Sequence, residues 1–204
     1  MMTIRRILLI LIFCAVTIPV SAQESSGSTT ESPFAAPELY QSASDAYQAG
    51  DYPRAVLDSS LYIVLNPTHN RGYYVRALSY LELENWESGI SDLNRALAVT
   101  PPDTDTDFQA QVYLTRGNVS RSQADYAAAL ADFEQSIALV PSDNAYFSLA
   151  LTHRAQDDLE AARADLSEAI ALAPDDPFYP LYRGSVQNRL GDIPAGAADY
   201  ARYI

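Results

Sequence analysis

Four prolines, Pro67, Pro101, Pro141 and Pro174, stand 34, 40 and 33 residues apart, and the chain between them repeats one order of side-chain types. Twelve residues ahead of each proline sits a small residue: Ala55, Gly89, Ala129 and Ala162. Gly196 continues the series 34 residues after Ala162. Four residues beyond each small position come Ser59, Leu93, Phe133, Leu166 and Tyr200, and four residues before it stand Asp51, Asn85, Asp125, Asp158 and Asp192. In the third copy Ala129, Leu130, Phe133, Ile137 and Val140 recur at three- and four-residue steps. That spacing lays one apolar stripe along a helix of about four turns. The helix ahead of it carries Val112, Tyr113, Leu114 and Val119 around Gly117, and the other copies place Ala43, Ala77, Ala150 and Gly184 where Gly117 stands. A small residue is needed there because packed helix axes approach to about 8–10 Å. Each proline then stops its helix, since it lacks an amide proton and clashes with the preceding turn. No stretch shows sustained two-residue alternation, so the expected class is all-α.

A period near 34 with a small residue, a bulky one a helical turn later and a closing proline resembles the tetratricopeptide repeat, a helix-turn-helix unit. The resemblance covers Pro37 to Ile204 in about five units, approximately 37–69, 70–109, 110–142, 143–176 and 177–204. It implies that the units stack into a right-handed superhelix with a concave inner surface, because two antiparallel helices cannot cover their own apolar faces. The match is uneven. The family's first-helix tyrosine is present as Tyr80, where the other units have Ala46, Ser120, His153 and Gln187. The fifth unit reaches Ile204 without a polar closing helix. Apolar surface is therefore expected at that end, covered by a partner or a second copy, or simply tolerated.

Asp58, Asp92, Asp132, Asp165 and Asp199 hold one place in all five units, three residues after the small residue of the second helix. Three units also carry an arginine just before the small residue of the first helix: Arg76, Arg116 and Arg183. A guanidinium is a planar fork that matches a carboxylate, so these are expected to be ion pairs within a unit, with a structural role.

The remaining arginines offer a functional reading. By the resemblance, first-helix side chains facing the groove include Tyr40, Ser44, Tyr47, Arg71, Tyr74, Asn118, Arg121, Phe147, Arg154, Phe178, Ser185, Asn188 and Arg189. Four arginines with interleaved aromatics and amides can hold an extended peptide bearing carboxylates, with Tyr74 and Phe147 giving flat apolar contact. The alternative is that they pair with nearby acids such as Glu82 and Asp157. Members of the family that bind chaperone tails use groove lysines, and this chain has none.

Charge narrows the partner classes. The chain has 26 acidic and 13 basic residues for a net charge of −13, and every basic residue is arginine. So acidic a surface repels phosphate backbones, which argues against nucleic acid. Without lysine there is no Schiff base and no P-loop amine. Residues 1–22 are expected to be an export signal. Arg5 and Arg6 precede an apolar run from Ile7 to Val20, and Val20-Ser21-Ala22 is a small-residue exit. The run is about 14 residues long, short of the roughly 20 needed to span a bilayer, so cleavage after Ala22 is expected and membrane contact ends with it. Residues 23–36, rich in serine and threonine, are expected to be a disordered linker, and 37–204 the repeat domain. Cys14 lies inside the signal, so the exported chain would have no disulfide.

Catalytic constellations are missing from the sequence. The two histidines are His69, in a turn after Pro67, and His153, in the family tyrosine's place; there is no Gly-x-Ser-x-Gly. Asp103, Asp105 and Asp107 alternate like the start of a calcium loop, but Phe108 stands where that loop needs glycine and Leu114 where it needs glutamate. The chain is therefore expected to be no enzyme and to use no cofactor or metal. The expected function is that of an exported, periplasmic or extracellular interaction scaffold that binds a peptide or partner protein through its concave groove. The rival reading is a structural subunit of an envelope assembly or transport complex, docking through the convex face or the C-terminal end.

Overall fold

In the computed structural model, residues 36–201 are described, and within them every regular element is an α-helix. The helices form five pairs: α1 (Ala36–Gln48) with α2 (Tyr52–Leu65), α3 (Asn70–Glu82) with α4 (Trp86–Val99), α5 (Thr106–Ser122) with α6 (Tyr126–Leu139), α7 (Asp143–Ala155) with α8 (Leu159–Leu172), and α9 (Phe178–Arg189) with α10 (Ile193–Tyr200). The expected export signal and residues 23–35 of the expected linker lie outside the described residues. The third unit starts at Thr106, ahead of the boundary at 110 that the spacing suggested. Its first helix has 17 residues where α1 and α3 have 13, so most of the extra spacing before Pro141 is taken up as one additional turn of α5.

The repeated polar position ahead of each second helix is its N-cap. The side chains of Asp51, Asn85, Asp125, Asp158 and Asp192 each accept a hydrogen bond from the amide three residues on, at 3.1–3.2 Å. This satisfies one of the donors that a helix start leaves without a partner. The residue just before each cap has positive φ: Gly50 (78°), Glu84 (59°), Ala124 (61°), Asp157 (65°) and Gly191 (85°). A left-handed residue at that point closes the first helix, and the cap's own amide bonds back to the carbonyl five residues earlier, as from Asp51 to Ala46 at 2.9 Å and from Asp125 to Ser120 at 2.9 Å. One short turn thus ends one helix and starts the next in every unit.

Each first helix packs on the second helix of its own unit and, from α3 onward, on that of the unit before, and first helices also touch directly at α1–α3 and α5–α7. First helices therefore make the inner layer and second helices the outer one. The small positions are where the layers meet: Ala43, Ala55, Ala77, Ala129 and Ala162 are fully buried. Leu93, Phe133, Val112 and Val186 fill the space between them.

The aspartate series forms a ladder with the arginines. Arg76 donates through Nε and Nη2 to both carboxylate oxygens of Asp92 at 2.7 and 2.8 Å. Arg116 does the same to Asp132 at 2.9 and 2.6 Å, and Arg183 to Asp199 at 2.7 Å twice. The third nitrogen, Nη1, reaches back to the preceding unit's second helix: to Ser60 at 3.1 Å, Asn94 at 2.6 Å and Ser167 at 3.1 Å. Each arginine thus joins two units as well as the two helices of its own, a role beyond the intra-unit pairing expected from the sequence. The other two units substitute for it. Ser42 and Arg54 both donate to Asp58, at 2.6 and 2.7 Å. In the fourth unit Leu149 takes the arginine's place and packs on Ala129 and Phe133, while His153 lies 2.7 Å from Asp165.

Candidate interaction surface

The inner layer is built from the first helices, and it sorts the expected groove residues into three groups. Tyr74 and Phe147 are buried, at 4% and 8% exposure, so they do not present the flat contact expected of them. Stacking of neighbouring units explains this. The Tyr74 hydroxyl shares a hydrogen bond with Thr115 of the next first helix at 3.0 Å, and its ring meets Phe108 edge-on at 5.5 Å. Burial pushes that hydroxyl's pKa up to about 12, so it stays protonated. Phe147 is enclosed by Tyr179 and Tyr182, with ring centroids 5.2 and 4.8 Å away.

The second group is engaged with other side chains. Arg71 pairs with Asp105 at 2.8 Å and lies over the Phe108 ring at 5.0 Å, and Arg189 pairs with Asp157 at 2.5 Å. Asp157 was a partner the sequence suggested; Glu82 was too, but it meets tyrosines instead. Tyr40 packs against Tyr62 and His69, and Asn188 donates to the Tyr200 hydroxyl at 3.3 Å. Ser44 is buried, Ser185 is half-buried and Phe178 is exposed. Tyr47 is half-buried beside Tyr52, with its pKa well above the ordinary phenol value through burial and the nearby Glu82 carboxylate.

Glu82 itself sits above the usual carboxylate range because burial penalises its charge, an effect that a hydrogen bond with Tyr52 partly offsets. A raised folded-state pKa means that the folded chain holds the proton more tightly. This contribution to stability is present in full below the ordinary glutamate value and is lost as pH rises from there through the raised folded-state value. Glu82→Gln is therefore expected to raise the urea midpoint at neutral pH and to leave it unchanged below about pH 4, where the carboxyl is protonated in both states. Circular dichroism during urea titration at the two pH values checks it.

Arg121, Arg154 and Asn118 make up the third group. Among the described residues, seven arginines have a carboxylate within 4 Å; Arg121, Arg154 and Arg95 do not, and Arg95 lies exposed on α4 over the Tyr73 ring at 5.8 Å. Arg121 and Arg154 sit on successive first helices, α5 and α7. Arg121 donates to Asn118 at 3.3 Å through Nη2, and its buried Nε has no acceptor. Its pKa is lowered, first by burial and next by the charge of Arg154. Arg154 lies over the Tyr182 ring at 5.3 Å. Two guanidinium groups thus disfavour one another in a half-buried setting, in a chain with twice as many acids as arginines. An anion placed between them would satisfy the idle donor and cancel the repulsion. Tyr182 was not foreseen. Its position two residues before Gly184 holds Val75 and Thr115 in other units, so no repeated pattern marks it. Among the described residues no three metal-binding side chains cluster, and Asp105 of the alternating acidic loop is held by Arg71.

Residues 109–177 match the family model described as tetratricopeptide repeat. Serine/threonine-protein phosphatase 5 of Rattus norvegicus is 31% identical over 108 residues, which are 53% of this chain and 20% of that protein. The match thus spans a fifth of the relative's length, and the human and mouse forms align to the same extent. Among solved structures, residues 41 to the end of MamA from Desulfovibrio magneticus RS-1 superpose with a TM-score of 0.72 at 17% identity, covering 82% of this chain and 92% of that one. YrrB, described as a TPR protein with an unusual peptide-binding site, gives 0.66 at 14% identity, covering 83% and 84%. The described part of the chain is thus an all-helical superhelix with the fold of the tetratricopeptide-repeat proteins.

Proposed function

We propose that the protein is an exported, non-catalytic scaffold that holds an acidic, extended segment of a partner protein on its inner surface, with Arg121 and Arg154 as the recognition point. The carrying observation is that these two half-buried arginines of successive first helices lack a carboxylate where seven others have one, the remaining arginine without one, Arg95, being exposed on a second helix. The fold supports a role in protein interaction, and the peptide-binding site named for YrrB is in keeping with it. An acidic segment would exchange hydration for guanidinium contacts there, while the acidic remainder of the surface repels it from other places. Export rests on the order of charged start, apolar run and small-residue exit at residues 1–22. Two measurements test the reading. Capture of a glutamate-rich peptide on the immobilised protein should exceed capture of an amide-matched glutamine peptide and should fall as salt rises, since exposed charges are screened over about 8 Å at physiological ionic strength. N-terminal sequencing of the protein from its native host should begin at Gln23; recovery of Met1 on membrane-bound material would refute cleavage.

A further inference from the structure

The outer face of α2 departs from the pattern kept by the other second helices. Two, six and nine residues after its small position, α2 carries Leu57, Leu61 and Val64, exposed at 55%, 48% and 77%. The same positions, also exposed, are Ser91, Arg95 and Ala98 in α4, Ala131, Gln135 and Ala138 in α6, and Ala164, Glu168 and Ala171 in α8. Steps of four and three residues put the three aliphatics on one line along the helix. They are not displaced core residues, because α2 already buries Ala55, Ser59, Tyr62 and Ile63 on its other side.

Charge indicates what covers this line. Within α2 the charged residues are Arg54 and Asp58, joined at 2.7 Å, so the helix is neutral in a chain of net −13. In α4, α6 and α8 acids outnumber arginines. A basic partner would find no free carboxylate along α2 to recognise, and an acidic partner no free cation. A second copy of the chain, repelled by most of the surface, meets a neutral apolar face here.

We propose that the protein forms a two-fold symmetric dimer through α2, with the two helices antiparallel and the Leu61 side chains meeting near the axis. A helix of this length runs about 21 Å. A contact confined to it lies at the low end of specific interfaces, which bury about 1,200 Å² or more, so a reversible dimer in the micromolar range is expected. Because α2 belongs to the outer layer, dimerisation leaves both inner surfaces open, and the proposal stands or falls independently of the arginine pair.

Sedimentation equilibrium of the purified full chain, from low to high micromolar, tests it. The triple variant L57S/L61R/V64A installs the residues that α4 itself carries at these positions, so the repeat fold accommodates them. Wild type should convert from monomer to dimer with concentration, and added salt should not weaken the dimer, because it screens the net negative charge of the two copies. The triple variant should stay monomeric with an unchanged helical spectrum. If that variant loses helical signal, Leu61→Gln, the residue of α6, replaces it and should weaken dimerisation about tenfold, roughly the effect of removing one buried aliphatic contact from each copy. A wild type that is monomeric throughout, or a folded variant that associates as wild type does, would overturn the proposal.

Discussion

Arg116→Ala is expected to lower stability by about 3 kcal/mol, because it leaves the Asp132 carboxylate, 8% exposed, without its two charged donors. The reverse change should cost less. Asp132→Ala frees a guanidinium that is 25% exposed and can turn toward water, so about 1–2 kcal/mol is expected. The arginine also donates to Asn94 in the preceding unit at 2.6 Å, so its loss loosens the joint between the second and third units. Stability in stacked repeats is a sum of unit and neighbour terms, and weakening one neighbour term should broaden or split the unfolding transition. Urea denaturation followed by circular dichroism reads both the midpoint and the width. Equal losses for the two variants would mean that the pair is solvated and that the ladder is ornamental to the stack.

Gly117→Leu is expected to destabilise to a similar degree, about 3 kcal/mol, by overpacking a helix crossing that is already closed. A Cβ at this position would lie 2.6 Å from Phe133 Cε1 and 3.1 Å from the Asp132 Cβ. The phenyl ring is fully buried and cannot swing out, and Asp132 is fixed by Arg116. Relief must come from the ring or from separation of the helices. Phe133→Leu in the same chain should therefore recover part of the loss, a coupling that a double-mutant cycle measures directly. A neutral Gly117→Leu would contradict the close contact of α5 with α6.

The physics that made some features legible in the sequence is local. A cap aspartate acts on an amide three residues away, a proline on its own turn, and an arginine 16 residues before an aspartate across one helix pair, so each repeats with the unit. What escaped was set between units. Tyr74 and Phe147 read as surface residues because their own helices leave them uncovered; it is Phe108, Thr115, Tyr179 and Tyr182 of the following units that enclose them. Likewise the partner of Arg71, Asp105, comes from the turn ahead of the next unit, which an alignment of one unit on another does not bring together, whereas Asp157, the partner of Arg189, was among the acids expected to pair. The aliphatic line on α2 was in plain view, yet Leu57, Leu61 and Val64 interleave with Tyr62 and Ile63 and read as one apolar run until burial separates the two faces.

The arginine pair carries the functional account, and one titration tests it most directly. A fluorescently labelled glutamate-rich peptide is titrated into wild type and into the R121A/R154A variant, with anisotropy as the readout and the helical spectrum as control. Charge-assisted hydrogen bonds contribute about 1.5–3 kcal/mol each, so the double variant should bind at least tenfold more weakly. Its stability should hold or rise, since the change removes a half-buried guanidinium with an idle donor. Undiminished binding of the peptide by a folded double variant would contradict the account.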